Sequence, residues 1–276
     1  NDYTCMYSVA AGDTDGAVGF EITGISAAAS PHRESARAYT VADTDDVVTV
    51  DTTAPTLTLV ELVSDNNALD PSYATTGNTV TVTIVASEAI SDPSCSFTLE
   101  DENTAGALPD VDVVADSAGT SWRCTYTLVD NDTEGSVGFT VGATSGADLA
   151  GNLLAPVTAV TEGGGVEFDK TAPTLSAVSI SSTAGFQSDI AGVGDEVTLS
   201  FESDEALGPA DPTCTLAVGG VPVDGRIVVV DTSSGARNEW SCSTTMMEGY
   251  QDGDVAFVID NVKDVVGNTM LSVSSV

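Results

Sequence analysis

Apolar and polar residues alternate along most of this chain. Residues 79–85 read Thr-Val-Thr-Val-Thr-Ile-Val and residues 196–201 read Glu-Val-Thr-Leu-Ser-Phe, a period of two that turns one strand face to a core and the other to water. Similar patterns occur at 56–63, 96–99, 111–114, 124–128 and 137–141, and again at 174–180, 214–218, 227–230, 242–245 and 255–259. Turn clusters such as Ala74-Thr75-Thr76-Gly77-Asn78 and Asp130-Asn131-Asp132-Thr133-Glu134-Gly135 separate them. No segment shows the spacing of an amphipathic helix. About seven short strands per unit predict an all-β fold built of two-sheet antiparallel sandwiches.

The two strand sets are copies of each other. Asp51-Thr52-Thr53-Ala54-Pro55-Thr56 returns 118 residues later as Asp169-Lys170-Thr171-Ala172-Pro173-Thr174. In the same register, Tyr3-Thr4-Cys5, Trp122-Arg123-Cys124 and Trp240-Ser241-Cys242 each place an aromatic residue two positions before a Cys. A repeat of this length is a whole domain, large enough for its own core. The expected organisation is a linear array: residues 1–51 as the C-terminal half of one unit, 52–169 as a complete unit, and 170–276 as a unit lacking its last strand. On this reading the chain is a window on a longer array. Pro55 and Pro173 fix φ and extend the residue before them, so the Thr-Ala-Pro-Thr linker is expected to be stiff, unlike a Gly/Ser tether.

The same alignment matches Asp92-Pro93-Ser94-Cys95 with Asp211-Pro212-Thr213-Cys214. Cys124 follows the first by 29 residues and Cys242 follows the second by 28. Two disulfides are expected, Cys95–Cys124 and Cys214–Cys242, each stabilising its unit by about 3–4 kcal/mol. They point to an oxidising compartment, extracellular or at the cell surface. Cys5 aligns with the second Cys of such a pair, so its partner is expected upstream or in a neighbouring chain.

Four motifs recur in the same order in both units. They are Asp-x-Thr-Ala-Pro-Thr, the strand opening Gly77-Asn78-Thr79-Val80 or Gly194-Asp195-Glu196-Val197, the turn Ser87-Glu88-Ala89 or Asp204-Glu205-Ala206, and Asp-x-x-Gly-Asn at 148–152 and 264–268. Together they resemble the bacterial-type immunoglobulin-like domains that form tandem stalks of surface adhesins and related fibrous proteins. The Cys pair departs from that pattern: it links the region after the second strand to a later strand, unlike the inter-sheet bridge of antibody domains.

Asp148, Asn152, Asp264 and Asn268 offer oxygen side chains around a Gly that permits a tight turn, which suits either a hard cation such as Ca²⁺ or simple turn capping. The family resemblance implies calcium at the domain junctions, with Asp51, Asp169, Glu88 and Glu205 as further ligands.

Composition narrows the functions. With 42 Asp+Glu against 7 Lys+Arg, the formal charge is −35, which argues against nucleic acid and anionic lipid and makes cations the natural partners. Hydrophobic residues reach 42%, yet no apolar run approaches the roughly 20 residues of a membrane span, so no membrane insertion is expected in this segment. Ser and Thr are abundant, a bias of O-glycosylated stalks, and Asn131-Asp132-Thr133 is an N-glycosylation sequon. With one His, no nucleophile–base pairing and no zinc-spaced cluster, the chain argues against an enzyme. Trp122 and Trp240 either stack on sugars or cover the neighbouring disulfide. The loop at 26–37, which carries His32, is either surface variation or a contact for an acidic neighbour. The function expected is an extracellular structural protein forming a rigid stalk or fibril, with neighbouring copies joined head-to-tail by shared strands. The alternative is the spacer of an adhesin whose binding domain lies outside this segment.

Overall fold

The computed structural model describes residues 4–22, 48–66, 70–100, 105–107, 111–116, 118–142, 144–185, 187–223 and 227–275. The loop at 26–37 lies outside them. The strands in chain order are β1 (Gly16–Ala17), β2 (Thr49–Val50), β3 (Leu57–Ser64), β4 (Tyr73–Ala74), β5 (Thr79–Ala86), β6 (Cys95–Glu100) and β7 (Ala105–Ala107). Then come β8 (Asp112–Ala115), β9 (Ser121–Thr127), β10 (Gly135–Val141), β11 (Val166–Phe168), β12 (Leu175–Ser182), β13 (Glu196–Ser203) and β14 (Thr213–Val218). The last five are β15 (Val221–Pro222), β16 (Val228–Asp231), β17 (Glu239–Thr245), β18 (Val255–Asp260) and β19 (Val273–Ser274). Among the described residues there is no helix, so none long and apolar enough to cross a membrane.

The first sandwich faces the sheet β3-β5-β9-β8 against β4-β11-β10-β6-β7. In immunoglobulin lettering β3, β5, β9 and β8 are A, B, E and D, and β6, β10 and β11 are C, F and G. The second sandwich repeats the four-stranded layer as β12-β13-β17-β16, opposite β15-β14-β18-β19, in which β15, β14 and β18 take the places of β7, β6 and β10. The fold is therefore all-β and Ig-like. All strand pairs are antiparallel except β4 with β11.

The alternation dictates the core. Along β5, Val80, Val82, Ile84 and Ala86 are buried while the intervening residues are only half covered, because successive side chains leave a strand on opposite faces. Phe97 and Leu99 of β6, Phe139 of β10 and Phe168 of β11 close over them from the opposing sheet. The first sandwich has one contiguous apolar core, whereas the second divides into two clusters.

Cys95 joins Cys124 and Cys214 joins Cys242, with Cα–Cα distances of 6.2 and 6.3 Å. One sequence expectation is corrected here. The bridge does run between sheets, since β6 and β9 lie in opposing layers. What differs from antibody domains is the pair of strands joined, C with E in place of B with F. Sheet membership depends on pairing distant in sequence, which spacing alone does not reveal. Trp122 and Trp240 lie on the same strand face as the Cys two residues on, and both are buried in the core. That removes sugar stacking as their role. The Trp240 indole N–H donates to the Arg237 carbonyl at 3.1 Å, and the Arg237 guanidinium lies 5.0 Å from the ring centroid.

Two short pairings show how the repeat register maps onto space. β1 pairs with β2 through Gly16↔Val50, the equivalent of Gly135↔Phe168 between β10 and β11. Val273 of β19 pairs with Ile259 as Val157 pairs with Val141, so β19 does not occupy the place of β11. Among the described residues no strand of the second sandwich does.

Replacing Cys95 and Cys124 together with Ala is expected to lower the free energy of unfolding by about 3 kcal/mol. Chemical denaturation followed by circular dichroism measures that loss, and the strand spectrum of the folded protein should be unchanged.

Candidate functional site

Three of the four recurring motifs meet at the entry to each sandwich. Pro55 and Pro173 are buried, and the Thr after each ties the boundary segment to the Glu-bearing turn. The Thr56 N–H donates to Ser87 Oγ at 3.0 Å. Thr174 donates from both its N–H and its hydroxyl to Asp204, each at 2.7 Å. This latch brings Glu88 beside Asp51 and Glu205 beside Asp169.

The Asp-x-x-Gly-Asn turn supplies the third carboxylate. Asp148 Oδ1 accepts the N–H groups of Ala150, Gly151 and Asn152 at 2.8, 2.7 and 2.9 Å. Gly151 sits at φ +96°, a conformation open to glycine. Asp264 Oδ1 likewise accepts from Val266, Gly267 and Asn268 at 2.9, 2.6 and 2.9 Å. Asn152 Nδ2 donates to Asp148 Oδ2 at 2.8 Å and to the Asp51 carbonyl at 3.2 Å. Asn268 Nδ2 repeats this with Asp264 Oδ2 at 2.7 Å and the Asp169 carbonyl at 3.1 Å.

The outcome is two acidic triads. Asp51, Glu88 and Asp148 present carboxylate oxygens all within 4.8 Å of one another, as do Asp169, Glu205 and Asp264. Turn capping and carboxylate clustering thus coexist in one residue: Oδ1 of Asp148 or Asp264 caps the turn. The paired Asn acts as a strut from its nitrogen side, holding the boundary carbonyl and the Asp together.

The electrostatics are those of anions brought together. Burial, followed by the charges of Asp264, Asp169, Asp204 and Glu134, pushes the Glu205 carboxyl up to about 7. Its ordinary value is 4.5, so the folded state holds this proton more tightly than the unfolded chain. The fold therefore loses stability from this group as pH rises between those two values. Asp169 is raised by burial and by Asp264 and Glu134, against the bond from Thr171. Glu88 is raised by burial, then by Asp51 and Asp148. Asp148 goes the other way: burial pushes it up, but the bonds from Asn152, Gly151 and Ala150 prevail and hold it low. No basic side chain forms a salt bridge with either triad among the described residues. Lys170 turns its ammonium to the carbonyls of Asp130 and Asp132, at 2.6 and 2.7 Å.

This donor set fits a hard divalent cation. Ca²⁺ takes several oxygen ligands, carboxylates foremost, and its charge would offset the repulsion that raises Glu88, Asp169 and Glu205. Asp51, Glu88 and Asp148 would hold one ion and Asp169, Glu205 and Asp264 another, with Asn152 and Asn268 orienting the ligands.

Two junction residues escaped the sequence reading. Asp15 accepts the Thr52 N–H and hydroxyl, both at 2.7 Å, and the Thr53 hydroxyl at 2.5 Å. Glu134 accepts the Lys170 N–H at 2.8 Å and the Thr171 hydroxyl at 2.7 Å. The available signal was an acid directly before the Gly that opens β1 and β10. Sandwich-to-sandwich contact adds Asn66 Nδ2 donating to the Val266 carbonyl at 3.0 Å and the Thr75 hydroxyl donating to Asn268 Oδ1. Asn131 is exposed in the turn between β9 and β10, and Cys5 is an exposed free thiol.

No family model and no curated protein matches this chain. Among solved structures, one titled "Marsupial T cell receptor" aligns with 79% of this chain and 100% of its own at 12% identity, with a TM-score of 0.24. A second of the same title aligns with 83% and 99% at 10% identity and a TM-score of 0.27. The crystal structure of Dpr2 Ig1-Ig2 in complex with DIP-Theta Ig1-Ig3 aligns with 74% and 91% at 13% identity and a TM-score of 0.22. Overlaps of this quality transfer no ligand, partner or activity to this chain, and its architecture rests on the strand order described above.

Proposed function

We propose that this chain is a segment of an extracellular structural protein whose disulfide-stapled Ig-like units build a rigid stalk or fibril, stiffened by calcium at each junction. The observation that carries this reading is the convergence of the boundary motif, the Glu turn and the Asp-x-x-Gly-Asn turn on one acidic triad at each unit entry. A stalk needs junctions that resist bending, and here the linker is buried at its proline, latched at its Thr and clasped by Asp15 or Glu134. A bound divalent ion supplies the positive charge that these carboxylates lack. The disulfides suit an oxidising exterior, the acidic surface favours solubility there, and exposed Asn131 with the many Ser and Thr hydroxyls offers glycan attachment. Neighbouring copies are the partners, joined head-to-tail by shared strands.

Substitution separates cation binding from turn capping. Glu205→Gln removes one charge from the repelling set, so it should raise the melting temperature in chelator and abolish the rise that calcium gives the second sandwich. Asp264→Ala strips an acceptor from three N–H groups and should cost about 2 kcal/mol with or without calcium. Differential scanning calorimetry of both variants reads these opposite signs.

Stiffness has its own readout. Small-angle scattering should show a longer, narrower distribution of interatomic distances in calcium than in chelator, and identical distributions would speak against ion-stiffened junctions.

A further inference from the structure

The first sandwich aims two side-chain donors at its neighbour. Asn66, just after β3, is buried, and its Nδ2 donates at 3.0 Å to the carbonyl of Val266, which is buried as well. Thr75, just after β4, donates its hydroxyl to Asn268 Oδ1. Both acceptors belong to the turn at 264–268. Asn268 spends its Nδ2 on Asp264 Oδ2 and on the Asp169 carbonyl. One carboxamide therefore ties the linker, its own turn and the preceding sandwich together.

Local bonds hold the two donors on one platform. Ser64 Oγ accepts the Asn66 N–H at 3.1 Å, and Asn78 Oδ1 accepts the Thr75 N–H at 2.8 Å. Asp65 Oδ1 joins the two segments, accepting from Asn78 Nδ2 at 3.0 Å and from the Thr79 N–H at 2.9 Å. The second sandwich keeps this platform. Thr183 Oγ1 accepts the Glu196 N–H at 2.8 Å where Asp65 accepts that of Thr79, and Asp195 Oδ2 accepts the Gly192 N–H at 2.7 Å where Asn78 accepts that of Thr75. The backbone agrees: the Asp65 N–H donates to the Thr79 carbonyl at 3.0 Å, and the Thr183 N–H to the Glu196 carbonyl at 2.9 Å. Yet the repeat register puts Ala184 and Gly192 where the first sandwich has Asn66 and Thr75. The same scaffold folds without either outward donor, so a sandwich does not need them for itself.

We infer that Asn66 and Thr75 form an orientation lock: an end surface that receives the Asp-x-x-Gly-Asn turn of the following unit and fixes the angle between the two sandwiches. A linker alone lets one rigid body pivot on another, and two further ties remove that freedom. A small rotation breaks the bond from Asn66 to Val266 before water can reach either group, which makes the rotation costly. Neither donor bonds to a triad carboxylate, so lock and cation act on the junction separately. Resting on the stalk reading, this gives one junction a fixed angle that the recurring motifs do not encode.

Residual dipolar couplings of the full chain in chelator, fitted separately for each sandwich, read the lock. When Asn66→Ala and Thr75→Val are combined, the ratio of the smaller to the larger alignment magnitude should fall below the wild-type ratio, because the two bodies then reorient independently. Amide shifts away from the junction should not move, as the second sandwich already folds with Ala184 and Gly192 at these places. Each substitution made singly should give an intermediate ratio, and Thr75→Ser, which keeps the hydroxyl, should keep the wild-type one. An unchanged ratio in the double variant, or an equal fall in Thr75→Ser and Thr75→Val, overturns the lock. The stalk reading fails on a different result, identical scattering of the wild-type chain in calcium and in chelator, which leaves the comparison of variants untouched.

Discussion

At the entry to each sandwich three carboxylates lie within 4.8 Å of one another, and much of the local architecture exists to hold them there. Like charges at that range repel, and a half-buried site strengthens the repulsion because water screens it poorly. The raised carboxyls of Glu88, Asp169 and Glu205 register that cost. The arrangement persists because each member is anchored by bonds unrelated to the others: Asp148 and Asp264 by three backbone N–H groups each, the Glu turns by their latch to the boundary Thr. Anionic oxygens fixed in place by bonds of their own would form a preorganised ligand set for the cation proposed above.

The rest of the unit serves that placement. Inter-sheet disulfides and cores built on alternate strand residues make each sandwich a firm body. The linker then has little freedom, since its proline is buried and the residues after Asp51 and Asp169 are clasped by Asp15 and Glu134. The second junction also carries direct contacts between sandwiches, from Asn66 and Thr75 to the turn at 264–268. Stiffness, on this account, is a product of geometry at the unit ends.

The parts legible in the sequence were those encoded locally or by repetition. Alternation located β5 and β13 because a strand facing one core must alternate. The turns at 148–152 and 264–268 were legible because an Asp bonds to N–H groups two to four residues ahead. Recurrence of four motifs in one order showed that each occupies a fixed place in its unit, although not that three of them share one end. Asp15 and Glu134 were passed over because a single acid, even directly before a Gly, has little contrast in a chain with 42 of them. The inter-sheet course of the disulfide and the parallel pairing of β4 with β11 depend on which distant strands become neighbours. Periodicity within one strand carries no such information.

Native mass spectrometry of the intact chain with calcium tests the central claim most directly, because it counts ions. The account predicts two specifically bound calcium ions, one for each triad, with both lost when Glu88→Gln and Glu205→Gln are combined. A chain that binds no calcium, or a double variant that keeps both ions, would contradict it.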